Sequence, residues 1–258
     1  METLFKRVIP KIMLDKHAAL GLIGSVTTKN YKPCKFIGSP KSQAKIFESN
    51  EADELILINI DNQVTFEDLV SVTESVSREI FMPLSVGGGI KTYDQAARIF
   101  ELGVEKVIVE KMIFDKPDHV KKIANQFGSQ SIIGSCTYWG DPMINIPENL
   151  SMKGVIHLTK LKDRILLIED LGVGEIMIND ALRDGSGAGS NIMALKVALK
   201  NTTLPIIDSC GFGSVEHFIE SFRQGSSAVA VGTYFAFIDQ SFLQLKGQMA
   251  NEGIRVRE

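Results

Sequence analysis

Eight short apolar runs punctuate the chain, at Val8–Leu14, Glu54–Ile60, Leu84–Val86, Lys106–Val109, Ser131–Cys136, Glu175–Asn179, Pro205–Ser209 and Ala228–Val231. They are rich in β-branched residues and nearly continuous, which predicts strands buried on both faces. Between them the apolar spacing turns helical. Lys91–Leu102 opens on Thr92 as N-cap and stops at Gly103, and Ser214–Gln224 opens on a Ser214 cap and stops at Gly225. Asp118–Gln126 and Ile192–Lys200 predict two further helices.

One strand–helix–strand pattern occurs twice. Phe81–Val109 and Thr203–Val231 align without a gap, setting Pro83 on Pro205, Gly89 on Gly211, Phe100 on Phe222, Gly103 on Gly225 and Val109 on Val231. A shorter echo precedes each copy, at Asp53–Asp61 and Gly174–Leu182. Repetition of β-α units across both halves predicts an α/β protein of one domain over residues 1–258: a (β/α)8 barrel of two duplicated half-barrels. In such a barrel the chemistry sits at the C-terminal ends of the strands.

Composition adds exclusions. The chain has 258 residues, 44% hydrophobic and 23% charged, and a net charge of −3. That charge gives no reason to expect nucleic acid. No apolar run reaches the ~18 residues a membrane span needs. The N-terminus lacks a secretory h-region and cleavage site. Cys34, Cys136 and Cys210 are scattered without metal-ligand spacing, so neither metal nor cofactor is expected and a reducing cytoplasm is the simplest location.

Glycines cluster where strands end. Val86–Gly89 closes the third strand, Arg183–Gly187 follows the sixth, Ser209–Gly213 closes the seventh and Val231–Thr233 the eighth. Glycine lets backbone N–H groups approach an anion closely, so two phosphate sites are expected, after strands 3–4 and 7–8. The alternative is that the glycines only turn the chain. Two long segments also follow strand ends: a loop at His17–Ser39, and a hairpin within Thr137–Thr159 turning at Gly140-Asp141-Pro142.

Over essentially its full length the chain resembles the cyclase subunit of imidazole glycerol phosphate synthase. The carrying motifs include RVIP (Arg7–Pro10), VGGGIK (Val86–Lys91), FGSQSIIG (Phe127–Gly134), RDG (Arg183–Gly185) and LPIIDSCGFGSVEHFIESF (Leu204–Phe222). The resemblance implies a (β/α)8 barrel that takes ammonia from a separate glutaminase subunit docked at its N-terminal face. The ammonia then attacks a bis-phosphorylated ribulosyl substrate at the opposite face.

Departures from the family pattern bear on function. Two aspartates serve the family as general acid and base, and the resemblance places Met13 and Cys136 at their positions. Met13 cannot transfer protons, and a thiol with an ordinary pKa near ~8.5 suits the task poorly. Cys136 is read as a buried structural thiol, or as an activated nucleophile. Asp15, Asp61 and Asp208 are the carboxylates left to substitute. At the first phosphate site Gly89 remains, but Glu110-Lys111 replaces an Asn-Thr pair, so a phosphate there relies on Lys111 to offset Glu110. At the second, Asp184, Gly185, Gly211 and Gly232 match, while Cys210 replaces a glycine. A lysine usual in the first long loop falls at Thr27 or Thr28, beside Lys29.

The N-terminal end of the barrel keeps its pattern. By the resemblance Arg7, Glu54, Lys106 and Glu175 form a ring that gates ammonia; read alone, they are a salt-bridge plug. The combination also resembles cyclase-like glutamine amidotransferase partners in surface-polysaccharide sugar amidation, whose first strand ends in an apolar IPCLLL-like sequence. Three functions stay open: an ammonia-conducting subunit serving a third, sugar-amidating enzyme; a cyclase of histidine biosynthesis; and a non-catalytic, sugar-phosphate-binding activator of the glutaminase.

Overall fold

Strand β1 (Arg7–Lys16) closes the sheet on itself. Its first half pairs in parallel with β10 (Ala228–Val231), Arg7 opposite Ala228, and its second half with β4 (Leu55–Asn59), Lys11 opposite Ile56. The order continues through β5 (Leu84–Gly87), β6 (Lys106–Val109), β7 (Ile132–Tyr138), β8 (Glu175–Asp180) and β9 (Ile206–Ser209) to β10. Among the described residues, eight parallel strands thus form a closed (β/α)8 barrel. The computed structural model describes residues 5–17, 21–139, 161–237 and 242–257.

Helices α1 (Pro40–Ser49), α2 (Phe66–Ser77), α3 (Tyr93–Phe100), α4 (Lys111–Asp115), α5 (Pro117–Phe127), α6 (Leu161–Asp170), α7 (Ile192–Asn201), α8 (Val215–Gln224), α9 (Tyr234–Phe237) and α10 (Phe242–Asn251) follow the strands in turn. Local signals start several of them. Thr65 and Asp68 form a capping box on α2, Thr92 caps α3 through the amide of Gln95, and Asn191 caps α7. Ser214 occupies the N-cap position of α8 with extended backbone, but its side chain makes no cap bond. The two repeated segments become β5-α3-β6 and β9-α8-β10. No described helix is long and apolar enough to cross a membrane.

The first long segment is not a loop. It contains the hairpin β2 (Ile23–Lys29) and β3 (Lys32–Gly38), with β2 antiparallel to the end of β1, Met13 opposite Val26. Asn30 and Tyr31 turn it with φ of 53° and 57°. The hairpin expected after the fifth strand lies largely outside the described residues; its first residues, Thr137 and Tyr138, extend β7.

Alternation along each strand divides the interior in two. One set of apolar side chains packs between sheet and helices, including Val8, Ile12, Leu14, Leu57 and Cys136. The other fills the lumen: Ile9, Ile56, Ile108, Ile133, Met177, Ile207, Ala228 and Ala230. This collar separates two polar layers of the lumen, one at each end of the barrel.

Candidate functional site

At the N-terminal ends of the strands the four charged residues meet. Arg7 donates to Glu54 at 2.7 Å and to Glu175 at 2.6 Å, and Lys106 donates to Glu175 at 2.5 Å. Glu54 Oε2 and Lys106 complete the ring as a longer ion pair of 3.6 Å. Two cations and two carboxylates cancel in charge, which partly offsets the desolvation of each. Burial pushes the Glu175 carboxyl up, but the hydrogen bond and charge of Arg7, with Lys106 beside it, hold it below the usual carboxylate range. Burial likewise opposes the Arg7 guanidinium, and its two glutamates raise it nonetheless. The ring sits directly beneath the apolar collar.

At the C-terminal ends the structure gathers the second phosphate set. Asp184, Gly185, Gly211 and Gly232 line one open recess together with Lys11 and Cys210. The β2–β3 hairpin packs against the Asp184–Gly185 side of this recess. Tyr31 N donates to Asp184 Oδ2 at 2.9 Å, and Asn30 N donates to the Asp184 carbonyl at 3.1 Å. A Cβ on Gly185 would stand 1.9 Å from the Thr28 carbonyl oxygen, so only glycine lets the two segments touch. Cys210 holds φ of 82°, a left-handed conformation that costs a cysteine and suits the glycine it replaces.

The first phosphate set is not drawn together. Lys111 pairs with Asp115 on its own helix at 3.7 Å. Glu110 turns to β7 instead, accepting from Thr137 N at 2.6 Å, Thr137 Oγ1 at 2.9 Å and Ser135 Oγ at 3.2 Å. The buried Arg164 joins them, bonding the Thr137 carbonyl and reaching Glu110 at 3.4 Å. In this arrangement Lys111 pairs with Asp115, and Glu110 with β7 and Arg164.

Met13 and Cys136 differ in direction. Met13 faces the lumen, receives a hydrogen bond from Thr28 Oγ1 at 3.3 Å, and would meet a Cβ on Gly232 at 2.6 Å. Cys136 faces the helices, fully buried, and burial pushes its thiol up to about 11 despite Arg164. Such a thiol is no nucleophile at neutral pH. Alternation makes Thr137 the residue at the end of β7 that reaches the C-terminal face, and it too lacks a carboxylate.

The three spare carboxylates separate in the same way. Asp15 shares the β1 face of Arg7, Lys11 and Met13; burial and then the charge of Asp61 raise its pKa. Asp61 is taken up by the amides of Lys16 and Gln63. Asp208 points outward, accepts from Ser221 Oγ at 2.7 Å, and is pushed up to about 6 by burial. A carboxyl raised in the fold is protonated there while ionised in the unfolded chain, so its contribution to stability falls as pH rises from about 4 to about 6. Asp208→Asn should remove a pH-dependent component on the order of 2–3 kcal/mol, at about 1.4 kcal/mol per pKa unit. Urea unfolding at pH 4.5 and 7 checks this; an unchanged pH profile in the variant would refute it.

Lys11, Thr137 and Tyr31 are the site residues that sequence reasoning passed over. Only Lys11 carried a signal: a basic residue inside the otherwise apolar run of β1.

Comparison with known proteins places this geometry. Residues 7–240 match the family model described as "Histidine biosynthesis protein". A protein of Pseudomonas aeruginosa, provisionally named an imidazole glycerol phosphate synthase subunit, is 35% identical over 239 residues, covering 90% of this chain and 91% of its own. A provisionally named counterpart from Prochlorococcus marinus is 30% identical, covering 98% of each chain. An imidazole glycerol phosphate synthase subunit of Mycobacterium tuberculosis is also 30% identical, covering 97% of this chain and 94% of its own.

Proposed function

The chain belongs to the histidine biosynthesis protein family, and from that premise we propose that it is the barrel subunit of a two-protein glutamine amidotransferase. In this role it relays ammonia from a glutaminase at its N-terminal face to a phosphorylated small molecule bound at its C-terminal face. The observation that carries the proposal is the complete Arg7–Glu54–Lys106–Glu175 ring under an apolar collar. Such a ring holds back ions by charge, while the collar admits a small neutral molecule such as ammonia in preference to ammonium.

The acceptor chemistry divides two readings. Met13 and Thr137 leave the C-terminal face without the two aspartates of the cyclase pattern. That favours handing ammonia to a separate enzyme, and the apolar end of β1 extends this to amidation of a surface-polysaccharide sugar. None of the three relatives' names mentions such a sugar. The second reading, a cyclase of histidine biosynthesis, is favoured by those names and by Asp15, whose raised carboxyl shares the face of Met13. Under it, Asp15 and Asp61 would take over the proton transfers.

The partnership itself is testable at the docking face. Phe81 precedes β5 on the same end as the ring and is 98% exposed. Its backbone is nonetheless pinned, Phe81 N and Met82 N both donating to the Glu48 carboxylate. A solvent-facing aromatic side chain on a held backbone suits an interface anchor. The chain should raise the turnover of a partner glutaminase. Phe81→Ala should weaken that pair roughly thirtyfold, about 2 kcal/mol, in a titration of glutaminase stimulation. Absence of any stimulation by the wild-type chain would defeat the partnership.

A further inference from the structure

Among the described residues, Lys11 is a buried cation without a carboxylate partner. It is 5% exposed, on the lumen face of β1 between Ile9 and Met13. Its ammonium donates to Ser209 Oγ at 2.8 Å and lies 5.8 Å from the centre of the Tyr31 ring. No carboxylate among the described residues comes within 4.0 Å of it. The other deeply buried basic residues among those described are paired: Arg164 with Glu110 at 3.4 Å and Lys246 with Asp53 at 2.8 Å. Arg7 and Lys106 share two glutamates. A desolvated ammonium with one hydroxyl acceptor is expensive to hold, because its remaining donors lose water without replacement.

We propose that the missing counter-ion is the ligand: Lys11 is the floor of an anion site and binds the phosphoryl group of a phosphorylated small molecule in the recess after β9 and β10. The recess is lined by Lys11, Gly211 and Gly232 among others. Gly211 and Gly232 offer backbone, which hydrogen-bonds any acceptor of suitable shape. Lys11 adds a full positive charge from below, so it selects a dianion over a neutral sugar. Asp184, in the same lining, opposes an anion, but its Oδ2 is engaged by Tyr31 N at 2.9 Å. The arrangement explains why the hairpin is seated here: Tyr31 covers the ammonium with its ring and Asp184 with its amide. This inference rests on the reading that a phosphorylated molecule binds at the C-terminal face, and adds which residue recognises it.

Calorimetric titration of the full chain with inorganic phosphate, ribose 5-phosphate, acetate and ribose tests it, in wild type, Lys11→Met and Lys11→Arg. Ribose 5-phosphate and phosphate should bind wild type, with ribose and acetate at least roughly tenfold weaker, and Lys11→Met should lose at least about thirtyfold in phosphate affinity, as for a charge-assisted hydrogen bond. Lys11→Arg should recover part of it. Without ligand, Lys11→Met should melt at or above the wild-type temperature, since it deletes an uncompensated buried charge. Equal phosphate binding by wild type and Lys11→Met would overturn the role of Lys11 while leaving the phosphorylated ligand in place. Tighter binding of acetate than of phosphate would overturn the phosphoryl assignment. Failure of wild type to bind any anion would overturn both; stimulation of a glutaminase by the chain without added ligand is measured separately and tests the partnership.

Discussion

Lys106→Trp is expected to cut nitrogen transfer from glutamine at least roughly tenfold, equal to about 1.4 kcal/mol in a barrier, while use of free ammonium stays nearly unchanged. The ring at the N-terminal face is the only described layer of the lumen that is closed by charge, and Lys106 crosses it to Glu175 at 2.5 Å and Glu54 at 3.6 Å. Tryptophan fills that space and leaves Arg7 alone against two glutamates. On the proposed relay, ammonia from a docked glutaminase passes this layer, whereas ammonium added to bulk solution reaches the C-terminal face without it. Lys106→Met serves as the companion, since it removes the same charge without the bulk. A steric block predicts that methionine spares glutamine-dependent transfer where tryptophan does not. Incorporation of 15N from glutamine and from ammonium in a reconstituted system with the acceptor enzyme separates these outcomes. Full glutamine-dependent transfer by Lys106→Trp would remove the conduit and leave an activator of the glutaminase. Losing one cation of a largely buried quartet also costs stability, by about 3 kcal/mol, so transfer is compared only between variants that remain folded.

The barrel was legible because its strands are buried on both faces and therefore read as unbroken apolar runs, flanked by glycine. The same property hid which residues face the lumen. Without alternation between polar and apolar positions, nothing in the stretch from Ser131 to Thr137 marks Cys136 as outward and Ser135 and Thr137 as inward; the hydrogen bonds to Glu110 and Asn179 reveal it. The hairpin β2–β3 escaped notice for the opposite reason. The segment is rich in Thr, Lys, Gly and Pro, typical of a loop, and its strands exist because β1 runs past the barrel and offers an edge. The charged ring was found through resemblance and symmetry, since Glu54 and Glu175 occupy equivalent places in the repeat. Lys11 has no such equivalent, and its burial without a carboxylate partner emerges only when the other buried cations have been matched with theirs.

Free ammonium and the bis-phosphorylated ribulosyl substrate should give imidazole glycerol phosphate at least ~10⁴-fold more slowly with this chain than with a relative carrying both aspartates, since each positioned acid or base contributes about 10²–10⁴. The geometry also says what restoration requires. Met13→Asp places a carboxylate on the lumen face beside Thr28 Oγ1, which already donates to the methionine sulfur. Thr137→Asp alone should fail, because Glu110 occupies the Thr137 amide, the Ser135 hydroxyl and Arg164. Two carboxylates sharing those donors would force one to stay protonated. Glu110→Asn frees the donors, so the triple variant Met13→Asp, Glu110→Asn, Thr137→Asp should gain at least roughly a hundredfold over wild type, the lower end for one acid or base. A gain by the triple variant and none by Thr137→Asp would mean that the barrel still holds the cyclase scaffold and has lost only its proton-transfer groups. Wild-type turnover near that of the relative would instead hand proton transfer to Asp15 and Asp61; burial, and then the charge of Asp61, already raises the Asp15 carboxyl. Asp15→Asn would then abolish activity, and the chain would be a cyclase of histidine biosynthesis with relocated acids.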